Sequence, residues 1–281
     1  YLVHGGKDNY EEVHKIYEVL TNDPVVKYSH TEIEKTREER IINNWKRVPR
    51  MRQLTKEHNL KKVNYLNYGP YGVSYNSVNA LSLSHGMFEA VIKILGSDEQ
   101  VKEYYQKALD EEIVGCYAQT ELGHGSDVQN LQTTATFDKK TQEFILDTGD
   151  IKAIKFWPGD LGLLATHAIV FARLIIDGED YGVNAFITKV RDDVTHKPLK
   201  GVDVGEVGPK SGYNIKDNGF LAFRKFRIPK EAILSRYINV TKEGMITLQG
   251  NPKIAYGTML LIRVTLLMYS KDALTYCLFI T

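Results

Sequence analysis

The sequence predicts an α+β fold in which helices come first, an antiparallel β domain follows, and helix returns at the end. Three observations carry this. Apolar residues recur at helical spacing up to about Leu109; from about Gly115 apolar runs pair around short polar turns; beyond Ile254 helical texture resumes. The boundaries fall at residues 1–114, 115–245 and 246–281, the last holding one more helix.

Each element follows from its residues. Tyr10, Val13, Ile16, Tyr17 and Leu20 lie at helical spacing, and Asn22-Asp23-Pro24 ends the run. Thr31 with Glu34 fits a capping box, opening a charged helix that runs toward His58 and that Pro49 is expected to kink or divide. Tyr68-Gly69-Pro70-Tyr71-Gly72 reads as a loop. Val78 to Leu95 is amphipathic, with Leu81, Leu83, Met87, Val91 and Leu95 apolar, and Gly96 ends it. Ser97 with Gln100 forms a second capping box for a helix reaching about Leu109. Thr133–Phe137 and Glu143–Asp147 read as one hairpin, and His167–Ile176 and Tyr181–Val190 as another around Asp177-Gly178-Glu179-Asp180. Phe220 to Arg227, closed by Ile228-Pro229, is a further strand. Hairpins imply antiparallel pairing, since parallel strands need longer crossovers. The apolar stretch from Ile254 to Ile280 is broken by Arg263, Lys271 and Asp272, short of the ~18 uncharged residues that a span needs, and reads as a buried helix of a larger fold.

Composition narrows the function classes. A chain of 281 residues, 43% hydrophobic and 25% charged, is ordinary globular protein, neither disordered nor collagen-like. A net charge of +1 gives no global electrostatic argument for nucleic acid or a charged membrane. Cys116 and Cys277 cannot build a disulfide framework, which favours a reducing compartment. The chain begins at Tyr1, so it is expected to be a fragment, with any targeting segment out of view.

The chemistry-bearing residues fall in three segments. Cys116-Tyr117-Ala118-Gln119-Thr120-Glu121-Leu122-Gly123-His124-Gly125-Ser126-Asp127 offers glycines for close backbone approach and uncharged hydrogen-bonding groups, although residue types alone fit a β-bulge with a polar turn better. No G-x-G-x-x-G supports a Rossmann site, His124 has no companion at metal-ligand spacing, and no G-x-S-x-G elbow surrounds Ser126. Ile154-Lys155-Phe156-Trp157-Pro158-Gly159-Asp160-Leu161-Gly162 places an aromatic pair on a fixed turn, which suits a flat ligand or a core tryptophan equally. Gly208-Pro209-Lys210-Ser211-Gly212-Tyr213, Asp217-Asn218-Gly219-Phe220 and Arg227-Ile228-Pro229 alone are only turns and a strand.

Together and in this order, the segments resemble the acyl-CoA oxidases, the peroxisomal, flavin-dependent branch of the acyl-CoA dehydrogenase superfamily. Tyr117 through Ser126, Phe156-Trp157-Pro158-Gly159, Thr195-His196-Lys197-Pro198-Leu199 and Tyr256-Gly257-Thr258-Met259 carry the resemblance, which runs from about Asn22 to Arg263. A plain dehydrogenase more often has Glu-Pro in place of Glu121-Leu122.

The resemblance implies an acyl-CoA dehydrogenase-like fold with an antiparallel β-barrel-like middle domain, FAD as cofactor, fatty acyl-CoA and oxygen as partners, a homodimer, and a peroxisomal location. It places FAD contacts on Tyr117, Ala118, Gln119, Thr120, Gly125, Ser126 and Gly159, and acyl-CoA contacts on Lys253, Ile254, Ala255, Tyr256 and Arg263. It implies oxidation of acyl-CoA to trans-2-enoyl-CoA in fatty acid β-oxidation, with the β-hydride passing to flavin and electrons to oxygen as hydrogen peroxide. It implies that residues 246–281 are the first helix of an incomplete C-terminal helical domain, so the family's catalytic glutamate is expected beyond Thr281, and no visible glutamate replaces it. The alternative is a truncated, non-catalytic subunit that binds acyl-CoA or a partner. No metal is implied.

Overall fold

The computed structural model describes residues 6–27, 29–60 and 80–250, together with Arg263, Val264, Leu267, Ser270, Leu274, Cys277 and Leu278. It bears out the α+β reading. The described residues fall into two compact units: those of 1–82, 209–216 and 259–281 form one, those of 83–208 and 217–258 the other.

The first unit is helical. α1 (Lys7–Asn22) ends where expected, because the Asp23 carboxylate turns back to accept the backbone N–H groups of Val25 and Val26 and also receives Arg50 Nε at 2.8 Å. The predicted Thr31/Glu34 capping box is not the one formed. Ser29 caps a short 3-10 turn, His30–Glu34, whose Glu32 is buried against Arg47 at 3.1 Å. The box belongs instead to Thr36 and Glu39, at the start of α2 (Arg37–Glu57). Pro49 does not divide α2, since Val48, Met51 and Leu54 are buried on either side of it and packing outweighs the lost hydrogen bond. Ile16, Leu20, Val26, Met51, Leu54 and Leu60 make this unit's core. The seven described residues after 262 are helical and exposed. The loop read at 68–72 lies outside the described residues.

The second unit is built on a mixed sheet. Within the predicted 78–95 helix, a π turn (Ser84–Phe88) runs into α3 (Glu89–Leu95). The Ser97/Gln100 box forms as read and starts α4 (Asp98–Gln100), which continues through a π turn (Val101–Tyr105) into α5 (Gln106–Leu109). The strands are β1 (Gly115–Ala118), β2 (Thr134–Asp138), β3 (Glu143–Asp147), β4 (Lys155–Gly159), β5 (His167–Ile176), β6 (Glu179–Lys189), β7 (Val202–Glu206), β8 (Asn218–Phe223), β9 (Phe226–Pro229), β10 (Ile238–Val240) and β11 (Ile246–Leu248).

Both predicted hairpins, β2–β3 and β5–β6, are present and antiparallel. The purely antiparallel expectation fails at β5, which pairs in parallel with β1 and with β2. Hairpin turns constrain only consecutive strands, and the chain between β1 and β5 is long enough to cross over. The single strand expected over Phe220–Arg227 is two. β8 joins β4 and β7 in a three-stranded sheet, whereas β9 pairs with β3 in the larger one. The break falls at Lys225, held at a φ of 49° with its N–H on Asp147 Oδ1.

β5 is apolar on both faces because both are covered. Ala168, Val170, Ala172 and Leu174 join a core with Val202, Leu221 and Phe223 of the smaller sheet. Ile169 and Phe171 face the other way, into a core with Phe88, Val91, Ile92 and Leu95. Side chains alternate along a strand, so one continuous hydrophobic run feeds two cores.

Candidate functional site

The first motif begins as β1 and ends as a loop. Ala118 and Gln119 are buried, Tyr117 and Thr120 half-buried, Gly125 and Ser126 exposed. The Tyr117 ring lies 4.8 Å from that of Phe171 and its hydroxyl donates to Gln119 Oε1 at 2.7 Å, which turns the glutamine side chain back on the strand. At Glu121–His124 the chain makes a tight turn, with mutual backbone hydrogen bonds of 3.0 and 3.2 Å. Gly123 is required there, since a Cβ would sit 2.9 Å from Lys152 Cβ; at Gly125 a Cβ would meet nothing within 4 Å.

This loop is pinned to β4. Phe156 N–H donates to the Thr120 carbonyl at 3.0 Å, and Leu122 N–H to that of Ile154 at 2.9 Å. Beneath them Lys155 and Glu121, both with fully buried side chains, form an ion pair at 2.9 Å. Lys155 Nζ also donates to the Gln119 carbonyl at 3.2 Å and the Phe171 carbonyl at 2.6 Å. Glu121 further accepts from the N–H groups of Gln132 and Thr133 and the Thr133 hydroxyl. Burial works to raise the Glu121 pKa, but Lys155 and those N–H donors outweigh it and hold the carboxyl below its ordinary value. Burial likewise pulls the Lys155 ammonium down, against the attraction of Glu121. With its donors and acceptors matched, the pair serves to hold Gln119 and Thr120 in place.

The second motif ends β4 in an irregular turn. The register with β8 slips between Phe156 and Gly159, and Trp157 is turned outward, 61% exposed, at a φ of 62°. Asn218 Nδ2 donates to the Trp157 carbonyl at 2.8 Å. Gly159 is buried and pairs with Asn218. The following residues are caged by buried charges. Asp160, at a φ of 68°, accepts Ser84 N–H at 3.0 Å; Asp217 accepts the N–H groups of Leu163 and Leu164; Arg191 donates to the carbonyls of Leu161, Gly162 and Ala165. His196, from the Thr195–Leu199 motif, donates Nε2–H to the Leu163 carbonyl at 2.6 Å. Burial, reinforced by Asp160, pushes the Cys116 thiol well above its ordinary pKa, so this cysteine is inert.

The seven residues read as cofactor contacts thus lie on two adjoining segments, tied together by Lys155 and Phe156. Lys253, Ile254, Ala255 and Tyr256 lie outside the described residues. Arg263 is helical and exposed, and falls in the first unit, whereas the loop belongs to the second. The sequence reading missed Lys155, Asp160, Arg191 and Asp217 as organisers of the site, because an isolated charge beside a strand reads as surface. One atom at the site is unmatched: His124 Nε2 is buried with no hydrogen-bond partner among the described residues. Elsewhere in this unit a cleft of about 840 Å³, lined by Tyr104, His167, Lys107, Phe226 and Lys230, includes none of the seven.

Comparison with known proteins places the chain. The family described as acyl-coenzyme A oxidase N-terminal matches residues 1–114. Peroxisomal acyl-coenzyme A oxidase 1 of Arabidopsis thaliana is 39% identical, over 96% of this chain and 41% of that protein. The solved structure of Arabidopsis thaliana acyl-CoA oxidase 1 superposes with a TM-score of 0.83 at 38% identity, over 94% of this chain and 40% of its own. That of acyl-CoA oxidase-1 of Caenorhabditis elegans, complexed with FAD and ATP, gives 0.78 at 37% identity, over 89% and 38%. The chain therefore spans about two fifths of the length of the relatives it matches.

Proposed function

The chain belongs to the acyl-CoA oxidase family, and on that footing we propose that the protein oxidises fatty acyl-CoA to trans-2-enoyl-CoA in peroxisomal β-oxidation, using FAD and molecular oxygen. When bound, FAD supplies the hydride acceptor and the route of electrons to oxygen, which leaves as hydrogen peroxide. The protein's residues do the holding. Tyr117, Ala118, Gln119, Thr120, Gly125, Ser126 and Gly159 form the FAD contacts in this reading.

The observation that carries it is the loop of residues 117–126, locked onto β4 by the buried Glu121–Lys155 pair. Because that pair is spent internally, the loop presents hydroxyl, amide and backbone groups without net charge, as a polar but neutral ring edge requires. The residues fit such a guest: the volume beside Gly125 is open, Trp157 turns a flat apolar face outward, and His124 Nε2 lacks a partner. Glu121 is excluded as the base that takes the α-proton, since its carboxylate is buried and fully engaged. Lys253 to Tyr256 and Arg263 belong to the acyl-CoA side of the reading, a charged guanidinium suiting phosphate. The domain division at 114 and 245, and a homodimer, belong to it as well.

Protein that includes the glutamate expected beyond Thr281, purified and reconstituted with FAD, is expected to turn yellow and to release peroxide from a saturated acyl-CoA. A protein that stays colourless after reconstitution refutes the FAD assignment. One that binds FAD and acyl-CoA but forms no peroxide refutes the oxidase activity.

A further inference from the structure

We propose that His124 donates a hydrogen bond from Nε2–H directly to bound FAD. The inference rests on the reading of the 117–126 loop as the FAD site and adds a residue to it.

The argument begins with the unmatched nitrogen. Nε2 is buried without a partner among the described residues, and folded proteins leave few such atoms, because each forfeits the hydrogen bond it made to water. The backbone offers no relief. The His124 N–H and carbonyl are both committed to Glu121, at 3.0 and 3.2 Å, and Glu121 is anchored by Lys155, Gln132 and Thr133. The turn therefore fixes the main chain but not the ring, whose side-chain torsions can carry the nitrogen out to a partner. Space for one adjoins: around the next residue, Gly125, a Cβ would meet nothing within 4 Å. The guest already assigned to this loop carries many carbonyl and phosphate oxygens, which are acceptors, and the complementary group on an imidazole is the N–H. The histidine is unmatched in the empty protein and matched in the loaded one.

That last contrast is measurable without turnover. His124→Phe keeps a ring and removes both nitrogens; His124→Gln restores an amide N–H. FAD-free wild type and variants are melted, then titrated with FAD by flavin fluorescence. The Phe variant is expected to melt no lower than wild type without FAD, to bind FAD roughly tenfold more weakly, as loss of one buried hydrogen bond predicts, and to shift the visible flavin band. The Gln variant recovers part of the affinity. A Phe variant that binds FAD as tightly as wild type overturns the proposal and leaves a water on Nε2. A Phe variant whose FAD-free form melts lower, in step with weaker binding, also overturns it, since the ring is then merely structural. Wild type that takes up no FAD overturns the proposal together with the FAD assignment; flavin absorbance, read before any variant is made, separates that failure from the others.

Discussion

Lys155 and Glu121 place opposite charges where both side chains are fully buried, and the consequence of losing one is asymmetric. Glu121→Gln leaves a buried ammonium without its counter-charge and is expected to cost about 3–5 kcal/mol in denaturant unfolding, whereas Glu121→Leu with Lys155→Met together recovers much of the loss. Thr120→Val keeps the side chain's shape and removes its hydroxyl; by the proposed role it weakens FAD retention without altering the melting point of the FAD-free protein, read by flavin release on gel filtration. His167 sets a pH window. Burial, partly opposed by Asp193, pushes its imidazole from 6.5 down to about 4. The unfolded chain binds the proton first on acidification, so this contribution is full above pH 6.5 and lost as the pH falls toward 4, a loss on the order of 3 kcal/mol that His167→Phe abolishes. The loop residues were legible in sequence through their glycines, threonine and glutamine. Lys155 was not, because nothing local distinguishes a lysine that pairs beneath a strand from one that reaches solvent.

At the level of elements, the hairpins were readable because turn residues such as Asp177-Gly178 lie between apolar runs, and Gly178 takes a φ of 85° there. The parallel partners of β5 were not readable, since they depend on strands far apart in sequence. Nor was the division of β8 from β9, because Arg224-Lys225 carries no glycine to announce the left-handed residue. The smaller sheet has its own requirement. Gly219 of β8 lies so close to the β4–β5 turn that a Cβ would stand 2.6 Å from Gly162 N and 2.9 Å from the Gly205 carbonyl. Both contacts are backbone and cannot swing aside. Gly219→Ala is expected to destabilise by about 1–3 kcal/mol through overpacking, seen as a lower melting temperature. The same change at Gly212, where a Cβ meets nothing, is expected to have no such effect.

Across the whole molecule, the succession of helix, strand and helix was legible from periodicity alone. What periodicity could not show is which helices go with the strands. Residues 83–114 group with the β structure, because Phe88, Val91, Ile92 and Leu95 share a core with Ile169 and Phe171. Stability follows this arrangement. β5 is hydrogen-bonded to β1, β2 and β6 and buried on both faces, whereas β10–β11 is a short ribbon with exposed Leu248. Amide exchange is expected to be slowest over 168–174 and fastest at 238–248, and equal protection in the two would contradict the packing described.

The parallel pairing of β1 with β5 also governs the order of events during synthesis. Gly115 waits for His167, and Gly159 for Asn218, before either has its neighbour. The 117–126 segment therefore leaves the ribosome well ahead of the strands that shape it, and non-local pairings of this kind close slowly. On the proposed FAD reading, cofactor loading is consequently a late step of biogenesis, one that follows β8 rather than β1, and nascent chains halted before Asn218 hold the loop's sequence without its form.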